Sequence, residues 1–304
     1  MNTQASLPTT ACYLNGQFLP LNEARVSVLD RGFIFGDGIY EVVPVYGGTP
    51  FRWEHHHARM ARSLKEIRIP HFDDAATWAK RIAQLIDLHA KHLGQNPRDL
   101  QQLIYIQITR GVATRDHVID PQLEPTVFAM INTMKPPTPE QREQGVACIS
   151  AQDFRWEKGH IKSISLLAAV LARDLSVQAN ATETIMFRNG HLTEASASNV
   201  WVIKNGKVMA APKDNLVLEG IRYGLLEELC AQEGLSYELR PITRSEVMDA
   251  DELLLTSATK EVLAITTLDG QPVGHGAQAG KPGPIYERLN RAYQHAKARS
   301  AQAR

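Results

Sequence analysis

The chain has 304 residues, 43% of them hydrophobic and 22% charged, the make-up of an ordinary globular protein with one large domain or two smaller ones. Lysine plus arginine (33) equals aspartate plus glutamate (33), so no overall charge draws it to nucleic acid or to an anionic membrane surface. No apolar run approaches the roughly 18 residues of a membrane span. Cys12, Cys148 and Cys230 are widely spaced and match no metal pattern; they are expected as reduced thiols of a cytoplasmic protein. Residues 1–10 are polar, lack a signal pattern, and are expected as a loose leader.

The first element in chain order is a hairpin over 13–19, with strand residues on either side of an Asn15-Gly16 turn. Three glycines then fall within Arg31-Gly32-Phe33-Ile34-Phe35-Gly36-Asp37-Gly38-Ile39-Tyr40-Glu41-Val42-Val43, which marks backbone that turns sharply or approaches something closely. The spacing is not that of a phosphate loop, having neither a Gly-Lys-Ser/Thr ending nor a clear following helix. A strand is expected over 39–46 and a helix over 54–68, with Met60, Leu64 and Ile67 on one side. His55, His56 and His57 are consecutive, so on a helix they point apart and cannot jointly chelate one ion; Arg59 beside them reads as a solvated face. A second helix over 75–92 precedes an alternating strand over 102–110. The following loop, Gly111-Val112-Ala113-Thr114-Arg115-Asp116-His117, presents an arginine and a histidine suited to a carboxylate.

A strand over 127–131 leads to Lys135-Pro136-Pro137-Thr138-Pro139-Glu140, whose prolines mark an interdomain linker without regular structure. The domains are accordingly expected as 1–131, a smaller N-terminal α/β domain; 132–144, the linker; and 145–304, a larger C-terminal domain. Beyond the linker strands and helices alternate: a strand over 146–154, a helix over 163–178, and strands over 183–188 and 200–204. Each of these two later strands ends in an Asn-Gly turn. A helix over 221–232, strands near 237–241 and 252–259, and a basic C-terminal helix over 284–304 complete the chain. Lys162 stands just ahead of the apolar 163–172 run, so a helix N-terminus and apolar neighbours are expected to lower its proton affinity, as a Schiff-base nucleophile requires. Taken alone, such a lysine is more often one whose stem covers a helix start while its head stays in water.

Three stretches carry a family likeness: Asp30-Arg31-Gly32-Phe33-Ile34-Phe35-Gly36-Asp37-Gly38-Ile39-Tyr40-Glu41-Val42-Val43, Ile161-Lys162-Ser163, and Thr193-Glu194-Ala195-Ser196-Ala197-Ser198-Asn199-Val200. With these in register the chain resembles the class IV pyridoxal-phosphate aminotransferases, and within them the D-amino-acid (D-alanine) transaminases, over about 13–293. The resemblance implies the two-domain fold type IV architecture, α+β or α/β in class, with pyridoxal 5'-phosphate as cofactor. It implies that Lys162, carried by the C-terminal domain, forms the Schiff base and shuttles the proton, while Glu194 keeps the pyridine nitrogen protonated. Arg59 would bind the phosphate, together with backbone donors at Gly220-Ile221-Arg222 and with Ser257 and its neighbours. Where the bacterial D-alanine enzymes usually carry a threonine, this chain has Ala258, which puts one phosphate bond in doubt.

Tyr40, Arg115 and His117 match the residues that hold the substrate α-carboxylate in the D-specific enzymes, and the side on which that clamp stands decides which enantiomer is accepted. Family precedent brings the clamp loop from a partner subunit, so a homodimer with shared active sites is implied. The activity implied is ping-pong transfer of an amino group from a D-amino acid to a 2-oxo acid, with D-alanine and 2-oxoglutarate as partners. Two rivals share Lys162 and Glu194: a branched-chain L-amino-acid transaminase, and a lyase of the aminodeoxychorismate type.

Overall fold

The computed structural model describes residues 8–70 and 73–302, so most of the expected leader lies outside the described residues. The chain divides into two compact units. The first is built from the chain up to Lys135 together with Ile161–Ser165 and the chain end from Ala298; the second comprises Pro136–His160 and Leu166–Lys297.

In the first unit, β1 (Ala11–Leu14) and β2 (Gln17–Pro20) form the expected hairpin; Asn15 and Gly16 at its turn both take positive φ (44° and 93°). A short helix that the sequence did not disclose, α1 (Arg31–Phe35), follows. Asp30 caps it through Gly32 N (2.7 Å), and Gly36 closes it at φ 67°. Then come β3 (Gly38–Tyr46), β4 (Thr49–Pro50), α2 (Trp53–Glu66), α3 (Ala75–Leu93), β5 (Gln101–Thr109) and β6 (Thr126–Thr133). The strands form one antiparallel six-stranded sheet in the order β2-β1-β6-β5-β3-β4. Alternation along β5 buries Gln102, Ile104, Ile106 and Ile108, while α2 and α3 turn Met60, Leu64, Ile82, Leu85 and Ile86 into the same core. Each such aliphatic side chain contributes about 1.5–3 kcal/mol relative to exposure.

In the second unit the stretch expected to be an unstructured linker contains α4 (Pro139–Gln144). Pro139 sits in its first turn, where a missing N–H costs nothing, and Thr138 caps it by accepting from Gln141 N at 3.1 Å. Next are β7 (Val146–Gln152), α5 (Leu167–Gln178), β8 (Glu183–Arg188), β9 (His191–Ala195), β10 (Asn199–Lys204), β11 (Lys207–Ala210) and α6 (Ile221–Gln232). β12 (Ser236–Leu239), α7 (Arg244–Met248), β13 (Glu252–Ser257), β14 (Glu261–Leu268), β15 (Gln271–Pro272) and α8 (Pro284–Gln302), whose end from Ala298 counts with the first unit, complete it. Its sheet is nine-stranded and mixed: β7 runs parallel to both β8 and β14, β12 parallel to β11, and the remaining pairs are antiparallel. Val146, Ile185, Val200, Leu253, Leu255 and Ile265 are among its core residues.

Two expectations about Lys162 change here. The helix begins at Leu167, four residues later than the apolar run suggested, so Lys162 does not directly precede the helix start. Lys162 also groups with the first unit, where the sequence had placed it with the C-terminal domain. The physical reason is backbone pairing: Tyr40 N donates to Lys162 O (3.0 Å), Ile164 N donates to Gly38 O (3.0 Å), and Ser163 bridges to Ile39. The segment is an extended strap on β3.

Candidate active site

The first unit presents the lysine and two arginine clusters. Lys162 is half-buried, with Nζ 3.9 Å from the centroid of the Tyr40 ring, and Tyr40 stacks on Tyr105 at 5.8 Å. Burial, with Tyr40 close by, pushes the Tyr105 hydroxyl up to about 12, so it is a neutral wall of this corner.

One residue after Tyr40, the side chain of Glu41 points to the opposite face of β3 and is fully buried. Arg59 on α2 grips it with both arms of its fork, Nε to Oε2 at 2.9 Å and Nη2 to Oε1 at 2.5 Å, and His56 Nδ1 lies 3.1 Å from Oε1. Burial alone would raise the Glu41 carboxyl; Arg59 and His56 more than offset it and hold it well below the usual carboxylate range. Arg59, which the histidine-rich sequence suggested was solvated, is therefore a buried cation with a fixed orientation, and His56 has its own reason to be there.

Arg115 and His117 lie on the long β5–β6 connection, both exposed. They share a neighbour: the Arg115 guanidinium lies 5.5 Å from the Phe35 ring centroid and the His117 ring 5.3 Å from the same ring. Tyr40, by contrast, has Lys162 and Tyr105 as its ring partners. The three residues expected to clamp the substrate thus have two sets of ring partners, Phe35 for Arg115 and His117, and Tyr105 with the Lys162 amine for Tyr40.

The second unit presents the acid. Glu194 lies on β9 where two residues, Thr193 and Glu194, stand opposite Met186 because the pairing with β8 shifts register, a bulge that re-aims the side chain. It is buried and accepts from Arg155 Nη1, from Asn199 Nδ2 (3.0 Å) and from Leu218 N (3.3 Å). Burial pushes its carboxyl up, and Arg155 pulls the other way without winning. Arg155 is shared: its Nε and Nη2 donate to Asp153 at 3.0 and 2.8 Å.

Asn199 also donates to Leu218 O (3.0 Å), which fastens Glu194 to the entry of α6. Gly220 is the N-cap of α6, with no side chain capping the helix start. A Cβ there would fall 2.1 Å from Asn199 Oδ1, so only glycine lets that approach occur. The N–H groups of the first α6 turn, including those of Ile221 and Arg222, are anion donors by position. The Arg222 guanidinium is turned away and buried, with Nη2 donating to Tyr293 Oη at 3.0 Å. Ser257 and Ala258 lie at the end of β13 and just beyond it, half-buried, and Ser257 Oγ accepts from Lys260 N at 3.0 Å.

Sequence patterns gave no reason to single out Arg155, Asn199, Glu41 or His56 as parts of the site. The Asp-x-Arg spacing before Lys162 and the asparagine ending the Glu194 motif are the only signals that could have pointed to the first two.

Comparison with solved structures defines the class of fold. The structure matches a branched-chain aminotransferase from Thermoproteus uzoniensis solved with norvaline (TM-score 0.84, 20% identity, 95% of each chain). It also matches an Escherichia coli branched-chain amino acid aminotransferase (TM-score 0.82, 19% identity, 94% of each chain). At that identity the likeness is one of fold. In sequence, residues 38–268 match the model of the family Amino-transferase class IV. A D-alanine aminotransferase of Bacillus licheniformis is 36% identical over 280 residues, 92% of this chain and 94% of that protein. Another D-alanine aminotransferase, from Staphylococcus epidermidis, is 36% identical over 286 residues, 94% of this chain and 97% of that protein. The chain belongs to the class IV aminotransferases, and it is a pyridoxal phosphate-dependent aminotransferase of the α+β fold expected from its motifs.

Proposed function

We propose that the enzyme transfers an amino group reversibly from a D-amino acid, with D-alanine as donor, to a 2-oxo acid, with 2-oxoglutarate as acceptor. The observation that carries this reading is the Arg115-x-His117 pair on the β5–β6 loop, in a chain 36% identical to a D-alanine aminotransferase over 92% of its length. A fork of donors with a second donor two residues on is what an α-carboxylate needs.

The residues present fit pyridoxal phosphate. A half-buried primary amine at Lys162, a buried carboxyl at Glu194 that burial destabilises as an anion, a buried arginine at Arg59 and the uncapped first turn of α6 match its aldehyde, ring nitrogen and phosphate. When bound, that cofactor supplies a carbonyl for amines to condense with and a cationic ring that withdraws electrons from the Cα–H bond. Lys162 Nζ then serves as the nucleophile toward that carbonyl and as the base that carries the Cα proton.

Glu194 holds a proton at the ring nitrogen; a cation there would relieve the cost of the buried carboxylate. Arg59, oriented by Glu41 and His56, the N–H groups of Ile221 and Arg222, and Ser257 are the groups that would take the phosphate. Ala258 offers only its backbone. Tyr40, Arg115 and His117 hold the substrate carboxylate and thereby fix which Cα hydrogen faces Lys162.

The reading includes a homodimer and a cytoplasmic location. Support for the dimer is an exposed apolar stripe on one face of α5, Leu167 (73% exposed), Val170 (58%), Leu171 (51%) and Leu175 (40%). Support for the location is three buried free thiols, Cys12, Cys148 and Cys230. Among the described residues no helix is long and apolar enough to cross a membrane.

The test of the reaction is product chirality. With D-alanine and 2-oxoglutarate the enzyme should form pyruvate and D-glutamate in equal amounts, with parallel double-reciprocal lines as each substrate is varied. L-Glutamate from L-leucine would instead make it a branched-chain enzyme, and pyruvate released from aminodeoxychorismate without an acceptor would make it a lyase.

A further inference from the structure

The loop that carries Arg115 and His117 is not an independent appendage. Its stem is tied to the entry of α1 by backbone bonds, Arg31 N to Gly111 O (2.9 Å) and Ala113 N to Leu29 O (3.3 Å), with a bridge between Asp30 and Val112. Its tip is held differently. The buried Arg31 sends Nη1 to the carbonyl of Asp116 at 2.5 Å and toward that of Val118 at 3.4 Å, so one guanidinium grips the backbone on both sides of His117. That guanidinium is itself fixed, because Nε donates to Asp37 Oδ2 at 2.9 Å.

Asp37 is locked from the other side by Arg110, through Nε at 2.8 Å and Nη2 at 2.9 Å; Arg110 also caps the carbonyls of Ile67 and Arg68 after α2, at 2.5 and 3.0 Å. Burial would raise the Asp37 carboxyl, and the two arginines lower it below its ordinary value. The second fixture is Phe35: Arg31 lies 4.8 Å, Arg115 5.5 Å and His117 5.3 Å from its ring centroid, so one aromatic ring contacts two side chains of the loop.

We propose that Arg31 and Phe35, braced by Asp37 and Arg110, are positioning residues that set the attitude of the Arg115–His117 pair and so tune affinity for the substrate carboxylate. This rests on the carboxylate role given to Arg115 above. Neither residue touches the reacting atoms; their effect reaches substrate through the loop, and it should therefore appear in KM more than in kcat and vanish once Arg115 is gone.

The experiment is a double-mutant cycle on the purified holoenzyme, with Arg31→Lys and Phe35→Leu each made alone and with Arg115→Ala, reading KM and kcat for D-alanine. Arg31→Lys keeps the charge and removes the fork. Each single change should raise KM about tenfold, by more than it lowers kcat, and should add less than about twofold in the Arg115→Ala background. If Arg115→Ala raises KM while both single changes leave it within about twofold, or if their effects multiply in full with that of Arg115→Ala, the positioning role is wrong although the carboxylate role stands. If Arg115→Ala itself leaves KM unchanged, the carboxylate role fails first and takes this one with it. Should Arg31→Lys not yield folded protein by its unfolding midpoint, Phe35→Leu decides alone.

Discussion

At Glu194 and Glu41 the same side chain meets opposite settings. Glu41 is paired with Arg59 and His56 and is held an anion; Glu194 shares Arg155 with Asp153 and is pushed toward its neutral form. A carboxyl poised this way is suited to a cationic partner that arrives with the cofactor, so Glu194→Gln should lower kcat for D-alanine about a hundredfold while cofactor still binds. Stopped-flow half-reactions would check it, and an unchanged rate would remove the ring-nitrogen role. Lys162→Ala should abolish turnover in a protein that keeps its unfolding midpoint; normal turnover would remove Lys162 from the chemistry. For Glu41 the folded-state pKa is depressed, so its stabilisation is present above its unfolded value of about 4.3 and is lost as pH falls through the folded value. Unfolding midpoints of Glu41→Gln should lie below those of the parent near neutrality, by the equivalent of about 3–5 kcal/mol, and the gap should close toward acid pH. A gap independent of pH would contradict this. Lys162 and Glu194 were legible because short motifs keep them; Glu41 and His56 were not, because their meaning comes from a partner on another element.

Among the elements, strands and hairpins followed from alternation and Asn-Gly turns, and α6 from its glycine start, whereas α1, α4 and the start of α5 did not. Five residues of α1 are too few for a period, and it exists because Asp30 and Gly36 cap it. Pro139, one of the three prolines that suggested a linker, instead opens α4. The apolar run after Lys162 reads as a helix from Ser163, but pairing with β3 claims the first residues before the helix begins. The approach of Gly220 to Asn199 makes a test at this scale. Gly220→Ala should displace Asn199 from Glu194 and disturb the first turn of α6, weakening retention of pyridoxal phosphate about tenfold in equilibrium dialysis. Retention equal to the parent would show that the α6 entry is not the phosphate site.

For the whole molecule, two regions were expected from the proline-rich stretch, and the contacts draw the line between them elsewhere, with the strap around Lys162 counted in the first unit. No stretch of sequence announces that, because it depends on which backbone the strap pairs with. The apolar face of α5 was read from sequence as packing beside the lysine, yet Leu167 and Val170 are exposed. Leu167→Glu with Leu171→Glu should shift the proposed dimer to monomer in sedimentation velocity and reduce activity with it; an oligomeric state unchanged by both substitutions would contradict a subunit contact on this face. The direct test of the chemistry and its handedness together is the absorbance of the bound cofactor in purified holoenzyme mixed with one amino acid and no acceptor. D-Alanine should convert the pyridoxal band to the pyridoxamine band in wild-type enzyme, and L-leucine should leave it in place. Conversion by L-leucine with none by D-alanine would contradict the assignment of Arg115 and His117 and the activity built on it.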